Sequence, residues 1–108
     1  MRRLEIATFC KTNRMSRSDG ARLREEIEDA WRKGELIMLD FANVRIASVS
    51  FFDESIGLLA REHSLDKLKD GVHIENLDAA DRALLNRIVT SRSRERVVNN
   101  QESVAPGR

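Results

Sequence analysis

The chain has 108 residues, the length of one ordinary domain, and a domain of that size buries roughly two-thirds of its unfolded surface, enough for one core and too little for two. With 41% apolar and 34% charged residues it is a globular protein with a charged surface, and 19 Lys plus Arg against 18 Asp plus Glu leaves no global attraction to nucleic acid or an anionic membrane. A single cysteine excludes a disulfide framework, Met1-Arg2-Arg3 leads into alternating residues and not a signal core, and no apolar run approaches the ~18 residues of a membrane span, so the expected compartment is the reducing cytoplasm.

Leu4-Glu5-Ile6-Ala7-Thr8-Phe9 alternates apolar and polar residues and predicts a first strand. Ser16 followed three residues later by Asp19 is a capping pair, and Leu23, Ile27, Ala30 and Trp31 then fall at helical spacing until Gly34 stops the helix. Leu36-Ile37-Met38-Leu39-Asp40-Phe41 is a continuous apolar run of strand length, expected for a central strand buried on both faces of a parallel sheet. Ser50 with Asp53 is a second capping pair, and Phe52, Ile56 and Leu59 mark the buried stripe of a second helix that reaches about His63. Residues 65–71 read as a charged turn. Val72-His73-Ile74-Glu75-Asn76-Leu77 alternates cleanly as a third strand, and Asp78 with Asp81 caps a third helix buried through Ala80, Leu84 and Ile88, with Leu85 and Val89 beside them. From about Ser91 the apolar repeat fades, so residues 1–96 are expected to form the domain and 97–108 a flexible tail.

The order β-α-β-α-β-α predicts a small α/β fold with a mainly parallel sheet and right-handed crossovers. In such a sheet the loops that leave the strands gather at one edge, so residues 11–20, 42–50 and 76–78 should be neighbours there.

Those segments also carry a family likeness. Leu39-Asp40-Phe41-Ala42-Asn43-Val44, Ala47-Ser48-Val49-Ser50-Phe51-Phe52-Asp53-Glu54, and Gly57-Leu58 resemble the strand-loop-helix signature of STAS domains, the sulphate-transporter and anti-sigma-factor-antagonist modules. The closer likeness is to STAS-like domains of unassigned function, which share Ser16-Arg17, Gly20, Leu23, the Asp53-Glu54 pair and Arg92; it spans residues 4 to about 96. The resemblance implies a regulatory, protein-binding module that partners a histidine-kinase-like ATPase or an anti-sigma-like protein. It also makes Ser50 the candidate phosphoacceptor at the start of the second helix. This sequence departs from the antagonist pattern there, with Ser48 where an acidic residue is usual and Phe51 where glycine is usual.

The residues themselves give each feature a plainer role. Ser50 suits a helix cap worth about 1 kcal/mol, and a phosphate on it would sit beside Asp53 and Glu54 and repel them. Those two carboxylates are adjacent in sequence, so on a helix they point about 100° apart and form no facing acid/base dyad. They complement the helix dipole, and pairing with Arg17 or Arg92 would tie loops together or offer charges to a partner. Ser16 to Gly20 with Arg17 suits an anion as well as a cap, which keeps a nucleotide or small-ligand sensor as the alternative function. Arg82, Arg87, Arg92, Arg94 and Arg96 make nucleic-acid binding a weaker alternative, because Asp78, Asp81 and Glu95 lie among them and no Tyr is present for stacking. No nucleophile with a base, metal set or cofactor motif is legible, so no enzyme, metal or cofactor is expected, and the oligomeric state is left open. The candidate partner-binding residues are Arg17, Ser48, Ser50, Asp53, Glu54 and Arg92.

Overall fold

The computed structural model describes residues 1–10 and 15–104. Its elements are β1 (Arg2–Glu5), α1 (Ile6–Phe9), α2 (Arg17–Arg32), β2 (Ile37–Asp40), α3 (Val49–Phe52), a π-helical turn (Asp53–Gly57), α4 (Leu58–Glu62), α5 (Leu65–Gly71), β3 (Val72–Glu75) and α6 (Ala79–Val104). The three strands form one parallel sheet in the order β1-β2-β3, with β2 in the centre as its apolar run predicts.

Register sorts the sheet residues into two faces. Leu4, Ile37, Leu39, Val72 and Ile74 lie on the face that joins the core, with Leu23, Ile27, Phe51, Phe52, Ile56, Leu59 and Leu85 brought in by the helices. The other face carries two polar rows, Arg3-Met38-His73 and Glu5-Asp40-Glu75. All four residues of β2 are buried, yet Met38 and Asp40 lie outside the apolar core, and Arg3 reaches over both, 2.7 Å from the Asp40 carboxylate. The expectation of a strand buried on both faces therefore holds, with the apolar core covering one face and the side chain of Arg3 lying over the other.

Four local expectations change. β1 ends at Glu5, because a single helical turn places Ile6 and Cys10, four residues apart, both in the core, and the Cys10 N–H donates to the Ile6 carbonyl at 2.9 Å. Residues 65–71 form helix α5, capped by the Ser64 hydroxyl on the Lys67 N–H, and the Trp31 indole N–H donates 3.0 Å to the Gly71 carbonyl at its end. α6 continues past the fading of its apolar repeat, to Val104. On its inner side Asp81 and Leu85 are buried and Leu84, Ile88 and Val89 are half-buried against the core as expected, but Ala80 is exposed, since the carboxylate of Asp81 faces inward. Residues 11–14 of the first loop and 105–108 of the expected tail lie outside the described residues.

Candidate functional site

The loops leaving the strands meet at one edge as the topology requires, and two carboxylates organise them. Asp40, the last residue of β2, accepts from the Ala42 N–H and the Asn76 side-chain amide, each at 2.9 Å, and so joins the loops after β2 and β3. Asp81, only 1% exposed, accepts from the Ile46 and Ala47 N–H groups at 2.6 and 2.8 Å. Ala47 has a φ of 46°, a costly left-handed conformation for a residue with a Cβ, held by that anchor. With the loop fixed at Ala47, the next residue must open the helix.

Ser48 is accordingly the cap of α3: its hydroxyl accepts from the Phe51 N–H at 3.2 Å and donates to the Met15 carbonyl at 2.7 Å, joining the lead-in of α2 to the start of α3. This corrects the capping role expected of Ser50. Both serines stand three residues before a plausible partner, and the Asp81 anchor decides between them. Ser50 instead occupies the first turn, where its hydroxyl accepts from the Arg17 guanidinium at 3.4 Å.

The acidic pair lies in the π turn, where the helix widens to i→i+5 spacing. Buried Ser55 donates its hydroxyl to the Phe51 carbonyl at 2.7 Å, supplying a partner where the normal helical ladder is interrupted. Two glycines allow neighbouring helices to close on this turn. A Cβ on Gly20 would stand 2.5 Å from the Phe51 carbonyl, and one on Gly57 would stand 2.9 Å from Ile88.

Asp53 and Glu54 then point in different directions, as adjacent helical residues must. Asp53 takes both arms of the Arg92 guanidinium from α6, at 2.7 and 2.8 Å, a bidentate pair of the strong kind. Glu54 turns to α2, 2.8 Å from Arg17 and 3.1 Å from Arg24, and Arg24 also donates to the Glu54 carbonyl. Arg17 lies 4.0 Å from Asp53 as well. The arginine hydrogen bonds hold both carboxyls below their ordinary range, Arg92 being the main cause for Asp53 and Arg17 followed by Arg24 for Glu54. Asp53 in turn raises Arg92.

All six sequence-selected residues thus fall in one neighbourhood, although Arg92 reaches it only through Asp53 and Ser48 is spent on structure. Arg24, Asp40, Ser55 and Asp81 were not selected. Arg24 had a legible signal, since it lies two turns from Arg17 on the same face of α2; Asp81 was hidden by its resemblance to a capping residue. At the start of α2, Ser16 and Asp19 form a reciprocal capping box, so the N–H groups that an anion sensor would use are partly occupied by the chain itself. Cys10 is buried, and its thiol is pushed up to about 11, first by burial and then by the charge of Asp19.

Residues 19–82, from the first turn of α2 to the first turn of α6, match the family profile of the STAS-like domain of unknown function (DUF4325). The chain belongs to this STAS-like family. No curated protein and no solved structure matches it. The matched span of the STAS-like domain holds Ser48, Ser50, Asp53, Glu54 and Asp81, while Arg17, Arg92 and β1 fall outside it, a narrower region than the resemblance over residues 4 to 96 implied. Among the described residues no helix of this STAS-like chain is long and apolar enough to cross a membrane.

Proposed function

We propose that this STAS-like domain is a non-enzymatic regulatory module that docks another protein, a histidine-kinase-like ATPase or anti-sigma-like partner, through the first turn of α3. The observation that carries this reading is how the edge divides its groups. Asp53 and Glu54 are engaged by arginines of the same chain, which leaves them poor candidates for proton transfer. The groups presented to solvent at the start of α3 include Val49, 59% exposed on a helix start pinned from both sides, with the Arg17 side chain 60% exposed beside Ser50. An apolar knob flanked by a cation suits a docking surface better than a reaction site.

Ser50 is the place for a switch. A phosphate there would meet Arg17 first and compete with Glu54 for it, a charge-assisted exchange that rearranges the surface beside Val49. The repulsion expected from Asp53 and Glu54 is tempered by the arginines that already neutralise them.

The test is calorimetric titration of the full chain with a histidine-kinase-like ATPase from the same cell, with and without ATP, for the wild type and for Val49→Asp and Arg17→Glu. Expected is binding that weakens at least about tenfold in either variant, the loss of roughly 1.4 kcal/mol. Equal affinity for wild type and variants, or no binding to any such ATPase, overturns the reading.

A further inference from the structure

We propose that the outer edge of β3 pairs antiparallel with β3 of a second copy of this chain, about a two-fold axis at Ile74, to give a continuous six-stranded sheet.

The backbone phase decides which groups are available. The Phe41 N–H donates to the Glu75 carbonyl at 3.0 Å, so Glu75, and with it His73, turns its backbone polar groups towards β2. In a strand the intervening residues turn theirs the other way. The N–H and C=O of Ile74 therefore face outward, on a strand that has β2 as its one neighbour among the described residues. Val72 follows the same phase, its N–H being taken by the Leu68 carbonyl at the end of α5. The opposite edge is blunter, because β1 runs into α1 at Glu5, the capping residue of that helix.

An open edge alone accepts any strand; the side chains select this one. Placing Ile74 opposite its own copy exchanges two backbone hydrogen bonds and sets His73 opposite the partner's Glu75, and Glu75 opposite the partner's His73, in the closer, non-hydrogen-bonded positions. Both residues are exposed and lie on the polar face of the sheet. The match extends inward. Glu5, Asp40 and Glu75 form an acidic row, and Arg3, Met38 and His73 the row beside it. The two-fold axis continues each copy's acidic row with the partner's row bearing His73 and Arg3. Like-charged neighbours across strands are unfavourable; Arg3 answers Asp40 within each copy, and the second copy sets its His73 beside Glu75 at the open end of the row. On the other face, the half-buried Ile74 side chains of the two copies meet. An isologous contact of this kind closes on itself and does not propagate into fibres. Its strands are short, so the dimer belongs to the small, transient class of interface.

The experiment is sedimentation of the full chain from micromolar to about millimolar concentration, the range in which a weak dimer declares itself. The wild type is expected to rise from its monomer mass of 12.4 kDa towards twice that value. His73→Glu opposes like charges twice and Glu75→Arg removes the carboxylate from both cross-strand pairs, so each should weaken self-association about tenfold, given the usual worth of cross-strand pairs. An equimolar mixture of the two variants should recover wild-type association, because the substituted positions then face each other with opposite charge. Amide exchange at Ile74 should slow as concentration rises. A wild type that stays monomeric throughout, a dimer unchanged in both single variants, or a mixture that fails to recover would each overturn the proposal. Circular dichroism of the two variants, whose altered side chains are exposed, verifies that the fold is intact.

Discussion

Replacing Asp81 with alanine removes the anchor on which the candidate site is built. Its carboxylate holds the Ile46 and Ala47 N–H groups at 2.6 and 2.8 Å from a position that is 1% exposed. Hydrogen bonds to a charged acceptor contribute roughly 1.5–3 kcal/mol each, and a buried N–H left without a partner costs about 1–3 kcal/mol. The Ile46 N–H is the buried one, whereas water can reach Ala47 in part. Counting one full orphan and one partly rehydrated group gives a loss of about 3 kcal/mol. For a domain of this length that corresponds to a fall in Tm of about 12 °C. Thermal unfolding followed by circular dichroism measures the loss, and amide exchange at Ile46 and Ala47 locates it. Asp81→Asn keeps one acceptor oxygen and turns an amide N–H₂ towards the other donor, so its loss should fall between wild type and alanine. A loss below about 1 kcal/mol, within the range of ordinary substitutions, or unchanged exchange at both amides, would refute the anchoring role.

Gly20→Ala should destabilise by about 2 kcal/mol, as overpacking does, because the new methyl would press on the Phe51 carbonyl at 2.5 Å and the Glu54 Cβ at 3.0 Å; denaturant unfolding that leaves the variant as stable as wild type would contradict the tight α2 contact. Acidification should erode stability through Asp29, Asp40, Asp53 and Glu54, all held below their ordinary values of 3.8, or 4.5 for the glutamate, by hydrogen-bonded partners. Since the unfolded chain takes up these protons first, the contribution is complete above about pH 5 and falls as pH drops through 4.5 and 3.8 towards the lower folded-state values; Asp53→Asn should flatten that fall in urea titrations at stepped pH. Cys10, with its thiol raised to about 11 and its side chain in the core, should resist alkylation at neutral pH until the protein unfolds, and rapid native-state modification would be inconsistent with its burial.

Sequence by itself determined the layers. The apolar run of β2, the alternation of β3 and the stripe Leu23, Ile27, Ala30 specify which residues leave water, and β-α alternation then leaves a parallel sheet as the economical topology. The same pattern brought residues from three loops to one edge, where Ser16 caps α2 as its spacing with Asp19 predicts. Tertiary structure decided what spacing leaves degenerate. Ser48 and Ser50 offer the same local chemistry to a helix start, and the choice fell to Ser48 because Asp81, more than 30 residues away, fixes the backbone just before it. The partners of Asp53 and Glu54 were equally beyond local reading: helical geometry says that adjacent carboxylates diverge, but only the close approach of α2 at Gly20 and of α6 at Gly57 assigns Glu54 to Arg17 and Arg24 and Asp53 to Arg92. Charged residues carry no periodic signal of burial, so their pairings wait for the fold. Apolar residues announce their side of the chain in advance, because avoidance of water acts on each of them without regard to partner.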